Sequence, residues 1–215
     1  MTTVPSRFEG EDDEHGGYQL SRVLALSDGV FAIALTLLAF SLRAAPDAKA
    51  ARIGDIVREQ WPVFFAYALS VVVIGGFWIG HHRAFTRITR IDTGLLWINF
   101  VFLGLLALVP YSTDLLGRFP GETSPVALYA AVVAAVALTG WCLHEYARRH
   151  RLFRSPPGAA TGRIFAARAL SLCGVFTASV AVAFWSPQAA QWMWLAAIPA
   201  RIAATRWAGR DAPAS

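Results

Sequence analysis

The sequence predicts an all-α, polytopic membrane protein with six transmembrane helices in each subunit. Of its 215 residues, 56% are hydrophobic and only 15% are charged, and the mean hydropathy is +0.47. A soluble domain of this size carries far more charge, so composition alone favours an integral membrane protein. Apolar stretches of bilayer-spanning length, about 17–25 residues each, recur along most of the chain.

Six such stretches follow one another with short connections, which predicts one helical domain over residues 18–207. In chain order they are Leu24–Leu42, Pro62–Gly80, Gly94–Ser112, Pro125–Tyr146, Ile164–Trp185 and Gln188–Ile202. Prolines flank or enter the last stretch, but a proline near a helix end is tolerated in a membrane, so we retain it as a span.

Short polar segments flank this domain. Residues 1–17 are rich in acids and glycine and lack the basic start and apolar core of a signal peptide, so we expect a disordered cytoplasmic tail. Residues 208–215 are expected to form a short cytoplasmic tail. The basic residues place both termini in the cytoplasm, because most of the 19 Lys and Arg then lie in cytoplasmic segments. The net charge of +5 lies at the span ends, where it faces lipid headgroups rather than nucleic acid.

The first span carries a continuous seam. Its members recur at alternating spacings of three and four residues: Leu26, Gly29, Ile33, Thr36 and Phe40. Such a seam is typical of the inner positions of a helix bundle. Small residues overlap it at Ala25, Gly29, Ala32 and Thr36, which would let a neighbouring backbone approach closely. Spacing alone leaves open whether the seam packs within one subunit or against other subunits.

Ionisable side chains also enter the first span. Asp28 lies about 140° around the helix from Ile33, so it needs a buried partner on another helix, since charge at membrane depth is costly. Arg22 lies on a different face of the helix from Asp28. The candidate partners are His81, His82, Asn99, His144 and Glu145. Each of these also suits a polar cap at the membrane interface, the interpretation that we favour for the last two.

His81 and His82 are adjacent, so their side chains point about 100° apart on a helix and do not bind one metal together. We therefore expect neither a metal site nor a cofactor.

Several of these segments together resemble the transmembrane protein 175 family, the lysosomal potassium channel and its bacterial relatives. Arg22-xxx-Leu26-Ser27-Asp28 is similar to the Arg-xxx-Phe-Ser-Asp signature of that family. Further similar segments are 29–38, Phe77-Trp78 with His81-His82-Arg83, and 95–99 (Leu-Leu-Trp-Ile-Asn). The chain departs from the signature at Leu26, which replaces phenylalanine; a bulky apolar group remains, so we expect the fold to survive.

The resemblance implies a tetramer in which four copies of the first helix line a pore selective for potassium over sodium. Ile33 would form the main hydrophobic constriction, Thr36 a hydroxyl-bearing layer one turn outward, and Phe40 a further apolar layer. Arg22, Ser27 and Asp28 would form the network that holds the pore helix, with His81 or His82 as partners. The chain has no Thr-Val-Gly-Tyr-Gly loop, so it cannot use a carbonyl-lined filter.

These expectations describe a leak-type potassium channel, a homotetramer in a bacterial plasma membrane, with potassium ions and the lipid bilayer as its partners. Two alternatives remain open. A proton-coupled transporter or proton leak would use Asp28 and the membrane histidines. A small membrane enzyme or haem protein is suggested by the histidines alone, and no catalytic motif supports it.

Overall fold

The computed structural model describes residues 7–42, 53–155 and 159–195, together with 197, 203 and 206. Within these ranges the chain forms eight α-helices and one short 3-10 helix, Ala39–Ser41. The α-helices are α1 Arg7–Leu38, α2 Ile53–Glu59, α3 Trp61–Phe85, α4 Thr93–Ala107, α5 Val109–Arg118, α6 Thr123–Arg149, α7 Ala159–Ala183 and α8 Pro187–Leu195. The predicted all-α class is confirmed.

Five segments are long and apolar enough to cross a membrane, by length and composition. They are Leu20–Ser41, Trp61–Phe85, Thr93–Arg118, Thr123–Arg149 and Gly162–Ala183, and they coincide with the first five predicted spans. The sixth predicted span begins in α8, whose nine residues end at Leu195. Most of the remainder of that span lies outside the described residues.

Helix α1 begins earlier than the sequence analysis expects. Its backbone is helical from Arg7, so residues 7–17 continue the helix instead of forming the disordered tail we expected. Once packing fixes the apolar turns, each added residue gains a hydrogen bond at little nucleation cost, so the helix extends into polar sequence. The domain boundaries at 18–207 and 208–215 stay predictions.

The third span consists of two helices. Helix α4 ends at Ala107 and α5 starts at Val109, with Pro110 in the first turn of α5. Proline has no backbone N–H to continue the α4 ladder and tolerates the first turn of a helix, which explains the break. The hydroxyls of Ser112 and Thr113 both donate to the carbonyl of Val109, at 2.9 Å and 2.7 Å.

Close packing joins the spans into one bundle. Helix α6 packs most extensively against α7, and α1 packs against α3, α4 and α5. A side chain at Gly117 of α5 would place its Cβ 3.1 Å from the Val63 Cα of α3, so these helices approach closely only because the residue is glycine.

A buried hydroxyl cluster connects three of these helices. Ser70 of α3 lies 2.8 Å from the Thr113 hydroxyl of α5 and 3.0 Å from the Tyr129 hydroxyl of α6, and all three residues are buried. Each hydroxyl therefore finds a partner where neither water nor lipid would supply one.

At the opposite end from the α5–α6 turn, the α3–α4 and α6–α7 connections pair with each other. Ile88 and Phe153 form an antiparallel bridge, and the Arg154 amide donates to the Arg87 carbonyl at 2.8 Å. Ile88, Leu152 and Phe153 are buried in a small apolar cluster that also contacts Leu20, Val23 and Leu24 of α1. The paired connections thus pack on the first turns of the α1 span.

Candidate pore helix and its supporting network

Helix α1 has one face that belongs to the subunit core. Ser27, Phe31, Ala34 and Leu38 are buried to 2% exposure or less, and their spacing of four, three and four residues places them on one side of the helix. Phe31 contacts the Phe102 ring of α4 with centroids 6.0 Å apart. This face anchors α1 to α3, α4 and α5.

The opposite face of α1 is exposed, with no helix of the described part of the chain packed over it. Leu26, Ile33 and Phe40 are 48%, 60% and 63% exposed, and Gly29 and Thr36 are also exposed. These are the five seam residues predicted from the sequence. Among the described residues the seam therefore does not pack within the subunit, and its side chains are exposed along the span.

The polar residue of the seam has a defined hydroxyl orientation. Thr36 Oγ1 donates its proton to the Ile33 carbonyl at 2.8 Å. The oxygen lone pairs of Thr36 then remain available on the exposed side of the helix. Phe40 lies in the 3-10 helix Ala39–Ser41 rather than in the regular α-helix, yet it stays on the exposed side.

A buried chain of hydrogen bonds connects three spans. The Asn99 amide of α4 donates to Ser27 Oγ of α1 at 3.2 Å, and its carbonyl oxygen lies 2.9 Å from His81 Nε2 of α3. Ser27 in turn donates to the Val23 carbonyl at 2.9 Å. Ser27, His81 and Asn99 are all buried, so this network fixes α1 against its neighbours.

Asp28 finds a partner that the sequence analysis missed. Trp78 Nε1 of α3 donates to Asp28 Oδ1 at 2.9 Å, and the Trp78 ring stacks on His82 with centroids 5.4 Å apart. Phe77-Trp78 was noted as a motif, and Trp78 precedes His82 by four residues, so both share one helix face. That spacing places Trp78 beside a candidate partner of Asp28, but it does not by itself reveal the bond between the two helices.

The other predicted network residues divide between two environments. His81 stacks on Phe85 and Phe102, with centroids 4.3 Å and 5.4 Å away, and joins the network through Asn99. His82 is exposed and reaches Asp28 only through the shared Trp78 ring. Arg22 is exposed on the outward side of α1 and has a contact of its own.

The two remaining candidate partners of Asp28 lie elsewhere. Glu145 forms ion pairs with Arg148 and Arg149 at the end of α6, as expected for an interfacial cap. His144 is instead buried and stacks on Phe165 at 4.0 Å, so the interpretation as an interfacial cap is wrong for it. Within the described ranges, no group of three or more His, Cys, Asp or Glu residues is arranged to hold a metal ion.

Comparison with known proteins relates this geometry to a family. Residues 22–110 match the family model described as endosomal/lysosomal potassium channel TMEM175. This range contains the α1 span from Arg22 onward, α3 and α4, and therefore every residue of the network described above.

Relatives agree with that match. A potassium channel of Streptomyces collinus is 36% identical over 121 residues, which is 54% of this chain and 59% of the relative. A protein of Bos taurus named an endosomal/lysosomal proton channel is 34% identical over 133 residues, 56% of this chain and 28% of the relative. The chain thus spans about three fifths of the length of the bacterial relative and a smaller share of the mammalian one.

A solved structure extends the likeness to nearly the whole chain. The crystal structure of a lysosomal potassium-selective channel TMEM175 homolog from Chamaesiphon minutus superposes with a TM-score of 0.71 at 25% sequence identity. The alignment covers 87% of this chain and 98% of that one. The chain is thus similar to TMEM175 ion channels, in sequence over residues 22–110 and in fold over most of its length.

Proposed function

We propose that this protein is a potassium-selective leak channel in which four subunits place α1 around a central pore. The observation that carries the proposal is the outward face of α1. The seam is continuous along a membrane span, and the opposite side of the helix is buried in the subunit. The Streptomyces relative and the Chamaesiphon structure are both named as potassium channels.

The seam of α1 supplies the side chains of a hydrophobic gate. Ile33 lies near the middle of the span Leu20–Ser41, with Leu26 about 10 Å toward one end. Four Ile33 side chains meeting at an axis would leave a narrow apolar ring, from which water withdraws as the ring closes. This ring is the constriction of the proposed channel, and Phe40 adds an apolar layer farther out.

Selectivity in such a pore depends on the cost of dehydration. An apolar ring forces each ion to shed part of its hydration shell, and potassium releases water at lower cost than sodium. Thr36, one turn beyond Ile33, offers the oxygen lone pairs left free by its bond to the Ile33 carbonyl. These oxygens replace some of the lost water contacts.

The supporting network keeps the ring at a fixed radius. Ser27 and Asp28 attach α1 to α4 and α3 through Asn99 and Trp78. Because these bonds approach α1 from two sides of its buried half, they set the rotation of the helix and therefore the direction of Ile33. Arg22, His81 and His82 complete the network in this proposal.

We place the protein in a bacterial plasma membrane with six spans and both termini in the cytoplasm. Support comes from the pairing of the α3–α4 and α6–α7 connections at one end of the bundle, since both are rich in arginine. Helix α8 starts a sixth span that returns the chain to that side.

The proposal is tested by ion flux into liposomes that contain the purified protein. We expect potassium uptake to exceed sodium uptake and to persist when a protonophore clamps the pH.

Ile33→Asn should wet the constriction and reduce the preference for potassium. Val101→Asn is the matched control, because Val101 is 52% exposed on α4 and lies off the seam of α1. Unchanged conduction and selectivity in Ile33→Asn would show that Ile33 does not line the gate.

Proton conduction is the second candidate function. The Bos taurus relative is named a proton channel, and the network contains an acid, Asp28, and a buried histidine, His81, whose Nδ1 makes no hydrogen bond to the described residues. Flux that requires a pH gradient and disappears in Asp28→Asn would favour this function over potassium conduction.

A further inference from the structure

The paired connections at the end of the bundle have two different faces. Ile88, Leu152 and Phe153 point inward and are at most 7% exposed. Their neighbours Arg87 and Arg154 are exposed. The buried side chains lie at and beside the antiparallel bridge between Ile88 and Phe153, and the exposed arginines flank it.

Four exposed arginines lie on the outer face of these connections: Arg87, Arg90, Arg151 and Arg154. Among the described side chains, none of the four forms an ion pair. Two acids nearby are already engaged: Glu145 by Arg148 and Arg149, and Asp92 by the Leu95 amide and the Tyr146 hydroxyl. Neither acid is paired with the four arginines, and Glu145 is already matched by Arg148 and Arg149, so the four arginines outnumber Asp92 and the face stays positive.

The backbone holds the arginines in place. Arg151 has φ 56°, a left-handed conformation that costs a residue other than glycine about 1 kcal/mol. It ends α6, since the Leu152 amide donates back to the Ala147 carbonyl at 2.9 Å. Hydrogen bonds from the Arg154 amide to the Arg87 carbonyl at 2.8 Å and from the Thr89 amide to the Leu152 carbonyl at 2.9 Å join the two connections, so the four arginines lie on one paired segment of backbone.

We propose that this arginine surface, formed by Arg87, Arg90, Arg151 and Arg154, binds the phosphate headgroups of anionic phospholipids in the adjacent leaflet. Arg87 lies two residues beyond the end of the Trp61–Phe85 span, and Arg151 two residues beyond Thr123–Arg149. The surface therefore lies at headgroup depth. Clustered arginines immediately beside spans attract anionic lipid, and the guanidinium group matches a phosphate with two hydrogen bonds.

The surface is also joined to α1. The inward side chains of the same connections belong to the apolar cluster against which Leu20, Val23 and Leu24 pack. A lipid that holds the arginine surface in place therefore also holds the inner end of α1.

The test is equilibrium binding of fluorescent phosphatidylglycerol and phosphatidylcholine to the purified full chain in detergent. We expect phosphatidylglycerol to bind more tightly, and the preference to shrink at high salt. Arg87→Gln/Arg154→Gln should weaken phosphatidylglycerol binding by about fivefold for each arginine, or about 25-fold together, from the energy of one basic residue near an anionic surface.

Two further variants control for loss of structure and for net charge. Arg87→Lys/Arg154→Lys should retain most of the binding, because it keeps the charge. Arg58→Gln/Arg118→Gln removes two arginines from α2 and α5, away from the paired connections, and should bind as the wild type does. Equal binding of both lipids by the wild type, or undiminished binding by Arg87→Gln/Arg154→Gln, would overturn the proposal. Neither readout depends on ion flux, so failure here leaves the channel proposal standing.

Discussion

Asn99→Leu tests the buried network most directly, because Asn99 bridges α1 and α3 from its position on α4. Leucine has a similar volume and leaves no large cavity at this site, which is 3% exposed. His81 Nε2 would lose its partner at 2.9 Å while its Nδ1 already lacks one among the described residues. An unsatisfied buried group costs about 1–3 kcal/mol.

The hydrogen bond from Asn99 to Ser27 contributes less to the free energy of unfolding than the bond to His81. It is 3.2 Å long, and Ser27 keeps its bond to the Val23 carbonyl. Interhelical hydrogen bonds in membranes average about 0.6 kcal/mol. We therefore expect Asn99→Leu to lower the free energy of unfolding by about 2–3 kcal/mol, measured by denaturant titration in micelles with tryptophan fluorescence as the signal.

His81→Phe/Asn99→Leu provides the decisive comparison. Phenylalanine keeps the stacking of residue 81 on Phe85 and Phe102 and removes both ring nitrogens. When both partners of a buried hydrogen bond become apolar, little penalty remains. The double variant should be more stable than Asn99→Leu alone. A loss below about 0.5 kcal/mol in Asn99→Leu, or losses that simply add in the double variant, would refute the network argument.

Three further predictions concern the packing and the polar contacts of the spans. Asp28→Ala should lower the free energy of unfolding by about 1 kcal/mol, because it removes the acceptor of the Trp78 indole. Asp28→Asn keeps an acceptor oxygen and should lower that free energy by less. Equal decreases in the two variants would show that the bond contributes nothing. Ser70→Ala should destabilise the protein more than Tyr129→Phe, because Ser70 is hydrogen-bonded to both Thr113 and Tyr129. Denaturant titration of both variants measures this order. The opposite order would show that Ser70 does not connect the other two hydroxyls. Gly117→Ala should weaken the fold because its Cβ meets the Val63 backbone, whereas Gly104→Ala meets nothing within 4 Å; similar thermal unfolding of the two would contradict close packing of α3 and α5.

The sequence predicted much of this architecture because membrane burial depends on length and apolarity, which are local properties. The first five spans and the membership of the α1 seam follow from such local properties, whereas the side to which the seam faces was left open by its spacing. Leu26 and Ile33 are 48% and 60% exposed, on the side of α1 opposite its buried face.

The remaining features depend on tertiary contacts that no periodicity reports. The bond from Trp78 to Asp28 joins residues 50 positions apart, and the choice of His81 rather than His82 for the buried network depends on how α3 rotates against α4. The break before Pro110 could have been predicted from the sequence, since proline interrupts the hydrogen-bond ladder of a helix. The pairing of Ile88 with Phe153 was not, because isolated bridges carry no repeating pattern.

The break between α4 and α5 has a consequence for biosynthesis. Helix α4, with 15 residues, is about 22 Å long, and α5, with 10 residues, about 15 Å, so neither crosses a hydrocarbon core of about 30 Å alone. The two halves enter the bilayer as a unit, and the α5 half carries the Thr113 hydroxyl. Its partner Ser70 has already been synthesised at that point, but Tyr129 of α6, which completes the cluster, is made later. The hydroxyl cluster is therefore complete only after α6 has been synthesised, and α6 supplies the last hydrogen bond that joins α3 and α5 to it.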